Sequence, residues 1–319
     1  MLFAFSRLLW LVATLFAASL LIFLAMQVLP GDPAAVLLGI NASPEALAAL
    51  RAEMGLDRPL AVQFFAFAGG VLTGDLGRSA TYDVPVAALI AERAAVSVPL
   101  ALIAVLISVA ISLPAGVWAA TNRGNWRDRV VGAGAQIGLS IPNIWLGLML
   151  IVVFAIVLGV APAGGFPGWD NGPGPALTAL CLPAIALAAP QAAILTRIVR
   201  AAVVEAMDQD YVALARAKGL SHAKAVRRHA LRNAWAPILT IIGLQFGFLA
   251  AGAIVIETVF SLPGLGRLLF QAVAQRDVPV VQGVVLVVVA AVVLVNALCD
   301  ALAAWCDPRR RTNADGLFA

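Results

Sequence analysis

Charge is what this chain most conspicuously lacks. Only 12% of its 319 residues are Asp, Glu, Lys or Arg, whereas soluble domains carry about 25%. With 62% hydrophobic residues and a mean hydropathy of +0.97, a soluble core of this length has no room for the apolar surface, and the natural solvent is lipid. Lysine is confined to Lys218 and Lys224. Neither follows a glycine-rich loop, so no G-x-x-x-x-G-K-[ST] phosphate cradle exists and ATP and Mg chemistry must come from another chain. Histidine is limited to His222 and His229. No carboxylate or cysteine is placed to complete a metal site with them, and H-E-x-x-H is absent. Cys181, Cys299 and Cys306 offer neither a disulfide framework nor a C-x-x-C spacing, and read as packing residues. A pair of membrane aspartates and a membrane histidine are also missing, which excludes the two usual routes to intramembrane proteolysis. The chain reads as carrying no catalytic site and no cofactor of its own.

What is there is apolar length. Six segments, approximately 8–28, 97–120, 130–159, 176–197, 236–257 and 280–304, are long and apolar enough to cross a bilayer. An all-α integral membrane protein of six transmembrane helices is expected. The first run follows Arg7 and is longer than a signal-peptide core of about 7–15 residues, and its end lacks a small-x-small cleavage site, so it reads as a retained helix. The third exceeds what a bilayer requires and should tilt or leave the membrane at its end. A Pro/Gly-rich loop, 161–175, follows it. Residues 1–95 read as the first span plus a large outside region, 96–305 as the membrane core and 306–319 as a tail. Within the outside region, Ser43 suits a helix N-cap with Pro44 at the first helical position and an end near Gly55.

Arginine distribution sets the orientation. With the N-terminus inside, the inner segments hold Arg7, Arg123, Arg127, Arg129, Arg197, Arg200, the six basic residues from Arg216 to Arg232, and Arg309–Arg311. That is 15 of the 21, and such an excess marks the cytoplasmic face. Both termini are therefore expected in the cytoplasm. Trp10, Trp118, Trp235 and Trp305 at span ends suit the lipid–water interface. The basic surplus is explained by topology, and a nucleic-acid partner is not expected.

The spans carry no charge at mid-depth; Glu257 and Asp300 fall near span ends. Ion-coupled carriers place ionisable groups inside the membrane, so that class is disfavoured. Gln136, Asn143, Gln191, Gln245 and Asn296 supply uncharged polar positions, either for interhelical hydrogen bonds or for a weakly selective polar pathway. Gly134/Gly138 and Gly243/Gly247 are spaced for close helix approach, and Pro142, Pro183 and Pro190 should kink their spans.

The inner loop, about 198–235, is the most informative stretch. Tyr211 to Lys218 is alanine-rich and helix-favouring. Gly219 is a natural C-terminal stop, and Ser221 can cap a second helix bearing Lys224, Arg227, Arg228 and Arg232 towards Pro237. Physics alone leaves two readings open, a helix built to dock in another protein's groove and a solvated loop that only sets topology.

The loop resembles the EAA loop of ABC-importer permeases, in the form found in the dipeptide/oligopeptide/nickel family. The matching residues are Asp210, Tyr211, Ala215, Arg216, Ala217, Lys218, Gly219 and Leu220, then His229, Leu231, Arg232, Asn233, Ala234 and Pro237. The general E-A-A-x-x-x-G form is departed from at Ala213 and Leu214. Gly31-Asp32-Pro33, the stretch Ser140–Gly147, the stretch Glu257–Leu268 and Arg276-Asp277-x-Pro279 extend the resemblance over nearly the whole chain. It implies a type I ABC-importer permease fold in the bacterial inner membrane, of the B-type subunit. The implied partners are a paralogous C-type permease, two ABC ATPases, an extracytoplasmic solute-binding protein, membrane lipid, and peptides or related small solutes. The implied coupling helix runs from about Val212 to Ser221, with Arg216 and Lys218 against the ATPase. An ion-coupled carrier and a non-transporting membrane scaffold are the alternatives.

Overall fold

A computed structural model describes residues 2–28, 33–38 and 43–306. Gly31, Asp32 and the arginines of the tail lie outside the described residues. Helix α1 (Leu2–Val28) covers the first expected span. Three short helices follow: α2 (Pro33–Leu38), α3 (Pro44–Glu53) and α4 (Leu60–Thr73). Ser43 caps α3 as its sequence predicts, its hydroxyl accepting from the Ala46 amide at 3.2 Å with Pro44 in the first turn. Helix α4 was not anticipated, because its fourteen residues fall short of a span. Then come α5 (Val86–Thr121), α6 (Trp126–Ser140), α7 (Asn143–Leu150), α8 (Pro173–Met207), α9 (Asp210–Ala217), α10 (His222–Ala225), α11 (Leu231–Val259), α12 (Leu265–Gln275) and α13 (Val278–Cys306). A π-helical turn, Val226–Ala230, joins α10 to α11 without a break. Among the described residues the one extended pairing is a bridge between Arg78 and Pro85.

Among the described residues, four helices are long and apolar enough to cross a bilayer: α5, α8, the continuous His222–Val259, and α13. The third expected span is not one tilted helix. It is α6 and α7, meeting at 96° across Ile141-Pro142, with a π-helical end at Ile151–Val157. Pro142 explains the break, since it pushes Ile141 out of the helical region to ψ 121°. Counted as one span, this pair makes five. The described apolar stretch of α1, Val12–Gln27, is shorter than a full span. Pro183 and Pro190, by contrast, stay inside the single 35-residue helix α8.

Contacts divide the chain into two compact units. The first comprises 1–97 and 263–293. Its core joins Val86 and Ile90 of α5 to Leu268 of α12 and to Val280 and Val284 of α13. A carboxylate secures it. Asp277 is fully buried, and it accepts from the Ser79 hydroxyl at 2.5 Å and the Thr81 amide at 3.0 Å. Ser79 in turn accepts from the Tyr82 amide at 2.9 Å, which closes the turn 79–82. On α4, Phe64 packs edge-on against Phe16 and Phe23 of α1, with ring centroids 5.6 Å apart in both pairs.

The second unit comprises 98–262 and 294–319. At its centre α8 packs against α6, α7 and α11. Lipid tails are as apolar as leucine, so close packing rather than water expulsion holds such helices together. Small side chains accordingly fill the contacts, with Ala184, Ala186 and Ala188 fully buried. Of the anticipated glycines, Gly243 is crowded: a β-carbon there would lie 2.8 Å from Asn296 Oδ1 and 3.1 Å from Cys299 Cβ. A β-carbon at Gly138 would lie 3.1 Å from Ala193 Cβ, whereas one at Gly134 would meet nothing within 4 Å.

Candidate functional site

Helix α9 begins one residue after Gln209, whose extended backbone forms the N-cap, and Asp210 places a negative charge in the first turn, where the helix dipole favours it. It ends at Ala217 because Gly219 turns left-handed, at φ +92°. There the Gly219 amide donates to the Arg216 carbonyl at 2.9 Å and the Leu220 amide to Ala215 at 3.2 Å, the paired bonds of a Schellman stop. The helix thus runs two residues earlier than expected at its start and ends well short of Ser221. Ser221 does occupy the N-cap of α10, but its hydroxyl makes no capping bond.

The two halves of the resemblance meet here. The side-chain amide of Asn233 donates to the Tyr211 hydroxyl at 2.8 Å and to the His229 carbonyl at 3.1 Å, tying α9 to the root of α11. Val212 is fully buried and Ala215 and Leu220 are half-buried. Asp210, Ala213, Arg216, Ala217, Lys218 and Gly219 are exposed, and Arg232 is exposed beyond them. Leu214 is 58% exposed, an apolar side chain without cover. The basic stretch is not a separate helix. It continues through Pro237 into α11, and the missing proline donor costs only the bond to the carbonyl of Asn233, an exposed residue.

Nearby, a carboxylate–guanidinium pair went unread in the sequence. Asp128, ahead of the apolar run that starts at Val130, accepts two hydrogen bonds from Arg200, at 2.5 and 2.7 Å, and one from the Gly124 amide at 3.0 Å. The Arg200 guanidinium thus meets both carboxylate oxygens, a bidentate fork. A lone acid among Arg123, Arg127 and Arg129 was the available signal; its partner lies 72 residues on. The Arg123–Asp208 pair at 3.0 Å is exposed on both sides and contributes at most about 1 kcal/mol.

The polar span residues do not converge as a set. Gln191 and Gln245 are both buried and meet, the Gln245 amide donating to the Gln191 backbone carbonyl at 3.1 Å. Asn143 sits half-buried at the α6–α7 break, with its amide nitrogen 3.4 Å from where a β-carbon of Gly252 would stand. Asn296 lies against Gly243, and Gln136 is exposed on α6. Among the described residues no three His, Cys, Asp or Glu side chains come together.

Residues 112–312 match the family described as binding-protein-dependent transport system inner membrane component, and residues 1–101 match the N-terminal region of such membrane components. The chain belongs to this family. It is 42% identical over 293 residues to a protein of Brucella abortus named as a peptide transport system permease, covering 92% of this chain and 93% of that one. It is 40% identical over 309 residues to a glutathione transport system permease protein of Escherichia coli, covering 97% and 98%. An inward-facing structure of the MetNI methionine ABC transporter shares the fold, with a TM-score of 0.58 at 20% identity over 68% of this chain and 96% of that one. The protein is accordingly an all-α, multi-pass inner-membrane permease subunit of a binding-protein-dependent importer. In this permease the long α8 and the helix 222–259 enter and leave the loop that holds α9, so any force on α9 reaches two spanning helices directly.

Proposed function

We propose that this permease moves short peptides or glutathione-like solutes inward by alternating access. An extracytoplasmic binding protein would deliver the solute, and α9 would seat in one of two partner ATPases beside a paralogous permease. The observation that carries the reading is α9 itself. It is locked by Gly219, anchored by Val212 and tied by Tyr211–Asn233, yet it leaves Ala213, Leu214, Ala217 and the charges of Arg216 and Lys218 uncovered. A loop that only set topology would need charge and no such rigidity. Closure of the ATPases would push α9 as a rigid body and rotate α8 and α11 with it. The solute class rests on similarity to the peptide and glutathione permeases.

Two tests follow. The purified chain alone should hydrolyse no ATP, whereas the complex with its ATPases and paralogue should hydrolyse it faster when loaded binding protein is added. Uptake by this chain alone under a proton or sodium gradient would instead establish a secondary carrier. Both termini in the cytoplasm means that a single cysteine at Ala163 is labelled from outside intact spheroplasts, while one at Ser221 needs permeabilisation; both positions are exposed. Labelling of Ser221 from outside would reverse the topology.

A further inference from the structure

At one edge of the second unit, α6 and α8 part around a cavity of about 420 Å³ lined by Asp128, Arg129, Gly132, Arg197, Arg200 and Ala201. Its charge is unbalanced. Arg200 is committed to Asp128, but the exposed side chains of Arg129 and Arg197 enter none of the hydrogen bonds or ion pairs among the described residues. Gly132 and Ala201 keep the cleft open, and a β-carbon at Gly132 would meet nothing within 4 Å.

The depth of the cavity is marked from both walls. On α6, Trp126 is 65% exposed with the Arg127 guanidinium 5.8 Å above its ring, an arrangement suited to the headgroup layer. The apolar run begins at Val130, and about two turns deeper Ile137 is 61% exposed. On α8, Arg197 closes an uncharged run that starts at Pro173. Two unengaged guanidiniums therefore stand over a cleft that opens at the boundary between headgroups and hydrocarbon.

We propose that this cleft binds the phosphate of an anionic phospholipid, held between Arg129 and Arg197, with an acyl chain along the exposed side of α6. Guanidinium forks suit phosphate oxygens, and basic pockets between spanning helices on the cytoplasmic side select anionic headgroups. The inference rests on the cytoplasmic placement of these loops and not on ATPase coupling.

The test is native mass spectrometry of the complete transport complex, released from detergent after incubation with phosphatidylglycerol, cardiolipin or phosphatidylethanolamine. The wild type should retain one anionic phospholipid per chain and shed phosphatidylethanolamine. Each arginine near an anionic lipid contributes about 1 kcal/mol, so Arg129→Gln with Arg197→Gln should weaken retention about thirty-fold, at tenfold per 1.4 kcal/mol. Gly132→Leu should also release the lipid, by filling the cleft with both arginines intact, whereas Arg227→Gln with Arg228→Gln should retain it. Equal retention by the double variant, or equal retention of phosphatidylethanolamine, would overturn the site. Displacement of the lipid by soluble glycerol 3-phosphate at matched concentration would overturn the lipid as its source. Because retention and not uptake is read, failure here leaves the importer reading standing.

Discussion

Gly219→Val is expected to lower solute uptake at least tenfold while leaving the permease inserted at normal abundance. The reason lies in the backbone. At φ +92° an L-residue is strained by about 1–2 kcal/mol, and a β-branched one by more. Relief of that strain unwinds the paired bonds from Gly219 to Arg216 and from Leu220 to Ala215 and lets the end of α9 swing. A β-carbon at 219 meets no atom within 4 Å, so size as such is not the obstacle. The order of effects should follow conformational preference, with Gly219→Asn mildest, Gly219→Ala intermediate and Gly219→Val most severe, although Asn is larger than Ala. Uptake of labelled peptide, membrane abundance and co-purification of the ATPases should be measured together. A severity order that tracks side-chain volume would refute the conformational account, and normal uptake by the valine variant would leave the loop a mere topology flank.

Asp277→Ala is expected to destabilise the first unit by roughly 2–5 kcal/mol. It leaves the Ser79 hydroxyl and the Thr81 amide without their acceptor, and an orphaned buried donor costs about 1–3 kcal/mol. At about 2–4 °C per kcal/mol for chains of this size, the thermal midpoint of the solubilised protein should fall on the order of 10 °C. Ser79→Ala should also destabilise the unit, because it takes one donor from the buried carboxylate and leaves the Tyr82 amide without its acceptor. The control lies in the same loop: Asp83 pairs with Arg78 at 3.1 Å, but the two side chains are 89% and 63% exposed. Asp83→Asn should therefore shift the midpoint by at most a degree or two. Equal midpoints for Asp277→Ala and Asp83→Asn would show that the buried carboxylate contributes nothing.

Six spans were expected; four of them, 97–120, 176–197, 236–257 and 280–304, are single long helices among the described residues, legible because lipid selects on composition. The stop at Gly219 and the cap at Ser43 were legible because each is a local rule read within four residues. The partners of Asp128 and Asp277 were not, since Arg200 and Ser79 lie 72 and 198 residues away in the chain and no periodicity links them. Helix α4 escaped for a related reason. It is apolar enough for lipid, but at fourteen residues it falls below the length by which spans are recognised. The break at Pro142 was readable as a kink but not as a 96° turn, because its angle is set by what α6 and α7 each pack against. In the candidate coupling loop, the sequence located the residues and missed the Tyr211–Asn233 bond that unites its two ends.

The Ser79–Asp277 bond also dictates an order of events at the ribosome. At about 5–20 residues per second, the 198 residues between them take about 10–40 s to synthesise. Throughout that interval the Ser79 hydroxyl and the Thr81 amide lack their Asp277 acceptor, and Val86 and Ile90 have neither α12 nor α13 to pack against. The first unit therefore cannot close until residues 263–293 are made, although it holds the first residues synthesised. Its N-terminal segments must wait, inserted but unfinished, for the final helix to emerge.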